Sequence, residues 1–201
     1  REPRVAGSYQ IESNRLFFSG DIPPIDQVNA KLEFTETGIR VDNGTALAIG
    51  GPAVVNIGTE GGVVTIAASG RADLDAFRRQ GSDHFWLQYL RGSAAWRGSI
   101  VLKHNLTDYS FESDLQGIGS TLPVPLAKAP AEAIPARFER RALGPDADRL
   151  EFGYGKELTF VLERRRSGGD LTPARGVLAL NVPATLPESG LAIVGNTPAV
   201  N

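Results

Sequence analysis

The chain has 201 residues, 41% of them hydrophobic and 22% charged, with a net charge of −2 and a pI near 5.8. That balance supports a core for one large or two small domains. It excludes a disordered chain, a basic nucleic-acid-binding footprint and a broadly basic membrane-binding surface. Cys is absent, which excludes a disulfide framework and a thiol site. Met is absent too, even at residue 1, so a piece of a longer protein is expected, for which a missing signal peptide or anchor carries no meaning. The longest apolar runs fall far short of the roughly 20 residues of a membrane span, and a soluble piece is expected.

Strand side chains point alternately to the two faces, so numbering parity tests sidedness. Near the start, Val28, Ala30, Leu32 and Phe34 oppose Asn29, Lys31, Glu33 and Thr35, and Ile39 and Val41 oppose Arg40 and Asp42. Turn signals at Thr37-Gly38, Asn43-Gly44, Gly50-Gly51-Pro52 and Gly61-Gly62 separate the runs. Residues 1–72 are therefore expected to form an N-terminal β-meander. A short helical insert is expected over 73–90. Asp73 can cap a turn that carries Leu74 and Phe77 inward, with Arg78 and Arg79 at its end. "HFWLQYL" (84–90) follows as a second short helix, more apolar than a free surface turn requires.

Residues 91–201 are expected to form a C-terminal β-meander continuous with the first. In it Ala94, Trp96, Ile100 and Leu102 oppose Ser93, Arg97, Ser99 and Lys103. Beyond the turn signal His104-Asn105-Leu106, Tyr109, Phe111 and Leu115 alternate with Asp108, Ser110, Glu112, Asp114 and Gln116. Residues 119–135 carry Pro123, Pro125, Pro130 and Pro135, which forbid an interior strand or a regular helix. An extended crossover is expected there, lying across an end or edge of the sheet with Leu122 or Leu126 packed on it. After it, Leu150, Phe152 and Tyr154 oppose Arg149 and Glu151, and Leu158, Phe160 and Leu162 oppose Glu157, Thr159 and Glu163. Turns are signalled at Pro145-Asp146 and Gly168-Gly169-Asp170, and Leu178, Leu180 and Val182 continue the pattern.

Motifs for chemistry are missing. The two histidines, His84 and His104, form no HxxxH pair, and no CxxC, GxSxG, GxGxxG or GxxxxGK[ST] occurs. The segments "GIGS" and "GYG" read as turn or bulge glycines. The run Arg164-Arg165-Arg166 reads as exposed charge blunting a hairpin tip, with acidic lipid headgroups or a partner as the other use. Asn43-Gly44-Thr45 and Asn105-Leu106-Thr107 match a glycosylation pattern, but both read as hairpin turns.

What remains is the apolar face. Roughly a dozen large side chains at about 1.5–3 kcal/mol each exceed the net stability of a domain, about 5–15 kcal/mol. Such a face is not left wet. Either a second layer closes over it as an ordinary core, or it lines a groove occupied by an apolar ligand.

The runs "GDIPPIDQVNAKLEFTETGIRV", "LAIGGPAVV", "GVVTIAASGRADLDAFRR", "LRGSAAWRGSIVL", "ESDLQGIGSTLPVPLAKA" and "LPESGLAIVG" resemble, in this order, the central-to-late periplasmic region of the YhdP family of AsmA-like proteins. The resemblance covers essentially the whole chain. It implies a segment of a large protein of Gram-negative bacteria, anchored in the inner membrane, whose body crosses the periplasm. Relatives including TamB look like elongated β-sheets curled into an apolar trough and are implicated in moving phospholipid between the two membranes.

The fold expected is mainly β: a twisted antiparallel sheet curled into a half-barrel or taco-like groove, with two short helices at one end. The groove candidates that follow are Trp96, Ile100, Leu102, Tyr109, Phe111 and Leu115. To these are added Leu150, Phe152, Leu158, Phe160 and Leu162, with Leu32 and Phe34 from the first meander. The partners implied are phospholipid acyl chains and neighbouring segments of the same parent chain, with no nucleic acid. No cofactor, metal or catalytic residue is implied. The rival reading is a structural or interaction segment with a closed β core and no lipid path. An envelope hydrolase is disfavoured by the missing site.

Overall fold

Alternation on this scale becomes strands, and the order in which they pair decides the shape. The computed structural model describes residues 5–17, 22–80 and 85–196. Its first strands are β1 (Ala6–Leu16), β2 (Ile25–Thr35), β3 (Gly38–Ala48), β4 (Gly51–Glu60) and β5 (Val63–Asp73). Helix α1 (Leu74–Arg79) and a 3-10 turn (Phe85–Tyr89) follow. Next come β6 (Leu90–Lys103), β7 (Leu106–Ser113), β8 (Ile118–Ser120), β9 (Ala136–Gly144) and β10 (Ala147–Tyr154). The chain ends with β11 (Leu158–Ser167), β12 (Asp170–Leu180) and β13 (Gly190–Gly195). These form one 13-stranded sheet in near-sequential order, with β8 set aside on the start of β6, and the sheet is not closed into a barrel.

The register turns parity into a row of side chains. Val55, Ala68, Gly98, Phe111, Phe138, Phe152, Phe160, Leu178 and Ile193 stand opposite one another on successive strands. A Cβ on Gly98 would lie 2.4 Å from the Phe111 ring, so this glycine makes the space that the ring fills. Beside this row, Ile66, Ile100 and Tyr109 form a buried cluster, with Phe111 and Phe138 packed against it. Tyr109 lies 6.0 Å from each of those two rings, within the range of favourable aromatic contacts.

Bulges help to curl the sheet. Ser13, Gln27 and Asn43 each take a positive φ near 50° at a register shift in β1, β2 and β3. A bulge bends its strand and strengthens the twist. The amides it displaces find side chains on the next strand: Ser13 N–H donates to Asn29 Oδ1 at 3.0 Å, and Asn43 N–H donates to Asn56 Oδ1 at 2.8 Å. Asn43-Gly44 is thus a bulge inside β3, not the turn that its sequence signals.

The helical end is seated on glycines. Asp73 caps α1 by accepting from Ala76 N–H at 2.8 Å, as its position predicts. Leu74 and Phe77 turn inward onto Leu87, Ala94 and Ile118. The tight turn after β3 passes directly beneath: a Cβ on Gly50 would lie 2.3 Å from the Asp73 carbonyl, and one on Gly51 would lie 1.8 Å from the Arg71 carbonyl. Arg78 then ties the 3-10 turn down, its Nη2 donating to the carbonyls of Leu87 (2.9 Å) and Leu90 (2.8 Å).

Three other expectations change. The crossover begins later than expected, because Gly119 and Ser120 belong to β8; residues 121–135 hold no helix or strand. Val182 leaves the inner face. Asn181, with φ of 55°, turns the chain so that Val182, Ala184 and Leu186 pack on Val161, Val177 and Ala179 on the outer side. This crossover brings β13 in parallel to β12, the one parallel pair in the sheet path. Arg164 is not exposed at a hairpin tip: it faces inward and pairs with Asp148, while Arg165 and Arg166 stay exposed.

Charged triads clamp the far strands on both faces. Inside, Asp148 is 0% exposed and accepts from Arg140 Nε at 2.7 Å and from Arg164 Nη2 at 2.7 Å. Outside, Glu163 accepts from Arg149 Nη2 at 2.6 Å and from Arg175 Nε at 2.7 Å. Burial works against the Asp148 carboxylate, but hydrogen bonds from Arg164 and Arg140 outweigh it and hold its pKa below the usual value. Hydrogen bonds from Arg175 and Arg149 do the same for Glu163. A depressed folded-state pKa gives stability that is complete above the ordinary carboxyl range near 4 and lost as pH falls through the lower value. Thermal melting should therefore show stability level at neutral pH and falling below about pH 4. Asp148→Asn should cost about 3–5 kcal/mol at pH 7 by stranding two arginines, and should flatten the acid slope. Gly51→Ala should cost about 1–3 kcal/mol through the backbone shift it forces. In the same melting series Gly58→Ala, with nothing within 4 Å of the added Cβ, should be close to neutral.

Candidate functional site: an apolar cavity on the inner face

The inner face is filled by the chain at one place and left open at another. Ile22, just before β2, packs on the Ile66, Ile100 and Tyr109 cluster. With Pro23 and Ile25 it leaves only a cavity of 140 Å³, bounded also by Trp96, Ile100, Phe111 and Phe138.

Trp96, Phe111 and Phe138 also bound a larger cavity of 560 Å³ toward the helical end. Ala72 on β5 and Phe152 and Tyr154 on β10 line it together. Those strands are four spacings apart in the sheet, about 19 Å if it were flat. A shared cavity therefore requires the sheet to curl. Its end wall is Leu74 of α1, Leu90, Leu115 and Ile118. Its cover is the Pro-rich crossover, which contributes Leu122, Leu126 and Lys128. The crossover is pinned at both ends: Ser120 and Lys128 exchange backbone hydrogen bonds (2.9 and 3.1 Å), and Ile134 N–H donates to the Asp114 carbonyl at 2.7 Å. A volume of this size is in the range that small-molecule sites occupy, about 300–1,000 Å³.

The residues expected to line a groove fall into three sets. Trp96, Ile100, Phe111, Leu115 and Phe152 bound one or both cavities. Tyr109, Leu150 and Leu158 are buried on the same face, and Leu32, Phe160 and Leu162 are half-buried there. Leu102 and Phe34 share the face by register but lie toward its rim, 37% and 38% exposed. Leu115 arrives by a different route from the rest. It lies beyond β7, and a φ of 53° swings it onto the helical core. The outward residues stand where parity puts them: Arg97 pairs with Glu112 across β6 and β7, and Glu151 stands opposite Glu139.

Sequence reasoning missed several of the site's residues. Phe138 is central, but its strand carries Arg137 and Arg141 on one parity and Arg140 on the other, which hides the alternation. Asp148, Arg140 and Arg164 share parity with Leu150, Phe138 and Leu162, so their inward direction was available from the same rule. Lys128 carried no signal, because a loop has no period.

His104 sits exposed in the β6–β7 turn, where it and Asn105 both take positive φ, and His84 lies outside the described residues. Among the described residues, no group of three or more His, Cys, Asp and Glu is placed to hold a metal ion. No described helix is long and apolar enough to cross a membrane.

No curated protein and no solved structure matches the chain. One family model, described as YhdP protein, matches residues 1–201. An open, curled β-sheet with a one-sided apolar interior thus comes with a family match from end to end, and the chain belongs to the YhdP family.

Proposed function

We propose that this chain is a segment of an envelope-spanning, AsmA-like lipid-transfer protein whose curled sheet shelters phospholipid acyl chains in the periplasm, between inner and outer membranes. The observation that carries the reading is the 560 Å³ cavity on the inner face, walled by Trp96, Phe111, Phe138 and Phe152 and continuous with the in-register phenylalanine row. Family membership supports it, since AsmA-like families are associated with lipid transport and not with an enzyme class. Each sheltered CH₂ is worth about 0.8 kcal/mol, so a few acyl carbons give useful but reversible affinity. Uniform shallow affinity suits passage by sliding.

The edges support a second part of the reading. Strand β13 presents Leu191 and Ile193 and β1 presents Tyr9, all on the inner face and all exposed. Neighbouring segments of the same parent chain would add strands there and prolong the trough, with 1–72, 73–90 and 91–201 acting as parts of one scoop. The parent chain would be anchored in the inner membrane. The rival reading, a closed structural core, draws on Ile22, which fills the trough over Ile100.

A charge placed at the cavity must be desolvated or must draw water into the path, at a cost of several kcal/mol. Phe111→Arg should therefore abolish photo-crosslinking of phospholipid to the inner face and fail to rescue envelope integrity in a deletion strain. Lys103→Asp, on the outer parity, should be nearly silent. Folding is checked by circular dichroism and abundance by blotting. If a folded, normally abundant Phe111→Arg protein crosslinks lipid and rescues as wild type does, the lipid path is wrong and the structural reading replaces it.

A further inference from the structure

One polar group in the cavity wall is not matched by the protein around it. Lys128, on the crossover, is 6% exposed and lines the 560 Å³ cavity. Its Nζ donates to two backbone carbonyls, Ile118 at 2.8 Å and Ala129 at 3.1 Å. An ammonium has three N–H donors and needs a counter-charge when buried. Two acids act on Lys128 through space: Glu132, whose Oε2 accepts from Ala129 N–H at 2.9 Å, and Asp114, whose Oδ1 accepts from Gln116 N–H at 3.0 Å. Neither makes an ion pair with Lys128, in contrast to the inner-face arginines, which share Asp148. Desolvation pulls the Lys128 pKa below that of an ordinary lysine, as expected for a cation without a contacting anion. Two further donors without a partner, Trp96 Nε1 and Tyr154 Oη, are enclosed in the wall of the same cavity.

We infer that Lys128 is the headgroup station of this cavity, taking the anionic phosphate of a lipid whose tail lies against Phe138 and Phe152. The inference rests on the lipid reading above and adds the substrate class: an anionic amphiphile in preference to a neutral one. An anion at Nζ supplies a counter-charge in direct contact and an acceptor for the third N–H. The tail follows the phenylalanine row away from the crossover, so the lipid enters with a fixed polarity.

The test measures binding of three probes to the 201-residue chain at low ionic strength: lysophosphatidylglycerol, a monoacylglycerol of the same chain length, and glycerol 3-phosphate. Wild type should bind the anionic amphiphile about tenfold more tightly than the neutral one, the ratio expected for one charge-assisted hydrogen bond of about 1.4 kcal/mol. Glycerol 3-phosphate alone should not compete. Lys128→Met, which keeps the length and apolar stem, should lose the preference. Equal binding of the two amphiphiles by wild type overturns the headgroup station and leaves the trough intact, and this measurement does not depend on the variant folding. A preference that survives in folded Lys128→Met overturns it as well. Glycerol 3-phosphate competing as well as the lipid would make this a site for free phosphate. If wild type binds neither amphiphile, the lipid reading itself falls, and the station with it.

Discussion

The constraint behind this structure is an apolar face too wide for its helices to cover. Alternation along the strands makes one continuous inner surface, and α1 and the 3-10 turn together offer only Leu74, Phe77 and Leu87 as buried side chains. They close one end. Elsewhere the sheet must cover itself, and it does so by curling. The phenylalanine row brings rings from β7, β9, β10 and β11 side by side, and the stacked bulges in β1 to β3 add bend on the other wall. Since the sheet does not close, curling leaves a part filled by Ile22 and a part without side chains. The open cavity is thus a by-product of the same geometry that protects the core.

Charge follows the same division. On the outer face, pairs such as Arg97 with Glu112, Lys31 with Glu33 and Arg40 with Asp42 are solvated, and contacts of that kind contribute little to stability. They keep the surface wet without fixing it. On the inner face the fully buried Asp148 carboxylate sits between two arginines, because a lone charge there costs several kcal/mol. Arg140 also stands 5.7 Å from the Tyr109 ring centroid, so the triad meets the apolar row through a cation–π contact and not through a gap. Lys128 differs in kind. Its direct contacts are two carbonyls, and it sits on a loop, not in the ladder.

Much of this was legible in the amino-acid order. Period two needs no knowledge of partners, so the directions of Trp96, Ile100, Phe111, Phe152 and Phe160 followed from parity alone. The glycines at 50, 51, 61, 62, 168 and 169 punctuate the chain where it turns. The misses have physical causes. Asn-Gly favours positive φ, which a hairpin turn and a bulge both use, so Asn43-Gly44 could not be told apart without the neighbouring strands. Arg164 looked like a tip charge because its partner Asp148 lies 16 residues away on the next strand. The outer cluster of Val161, Val177 and Ala179 was invisible as well, since its cover is a crossover that reverses parity at Asn181.

Both edges of the sheet expose large apolar side chains. The inner row ends on Ile193, which is 77% exposed, and a large aliphatic left wet forgoes about 1.5–3 kcal/mol. Natural sheets blunt free edges with charge, proline or a bulge, and the β13 sequence "GLAIVG" has no charge and no proline. At the opposite edge β1 does carry a bulge, yet its inner face still presents Tyr9 to solvent. The two ends of the row are thus alike in leaving apolar surface unfinished, whereas the rims where strands turn are finished with glycine and polar residues. An added strand would cover Ile193 and Leu191 and extend the phenylalanine row by one more position. On the proposed reading, the length of the trough then belongs to the assembled protein, and this chain sets only its cross-section and the polarity of what lies in it.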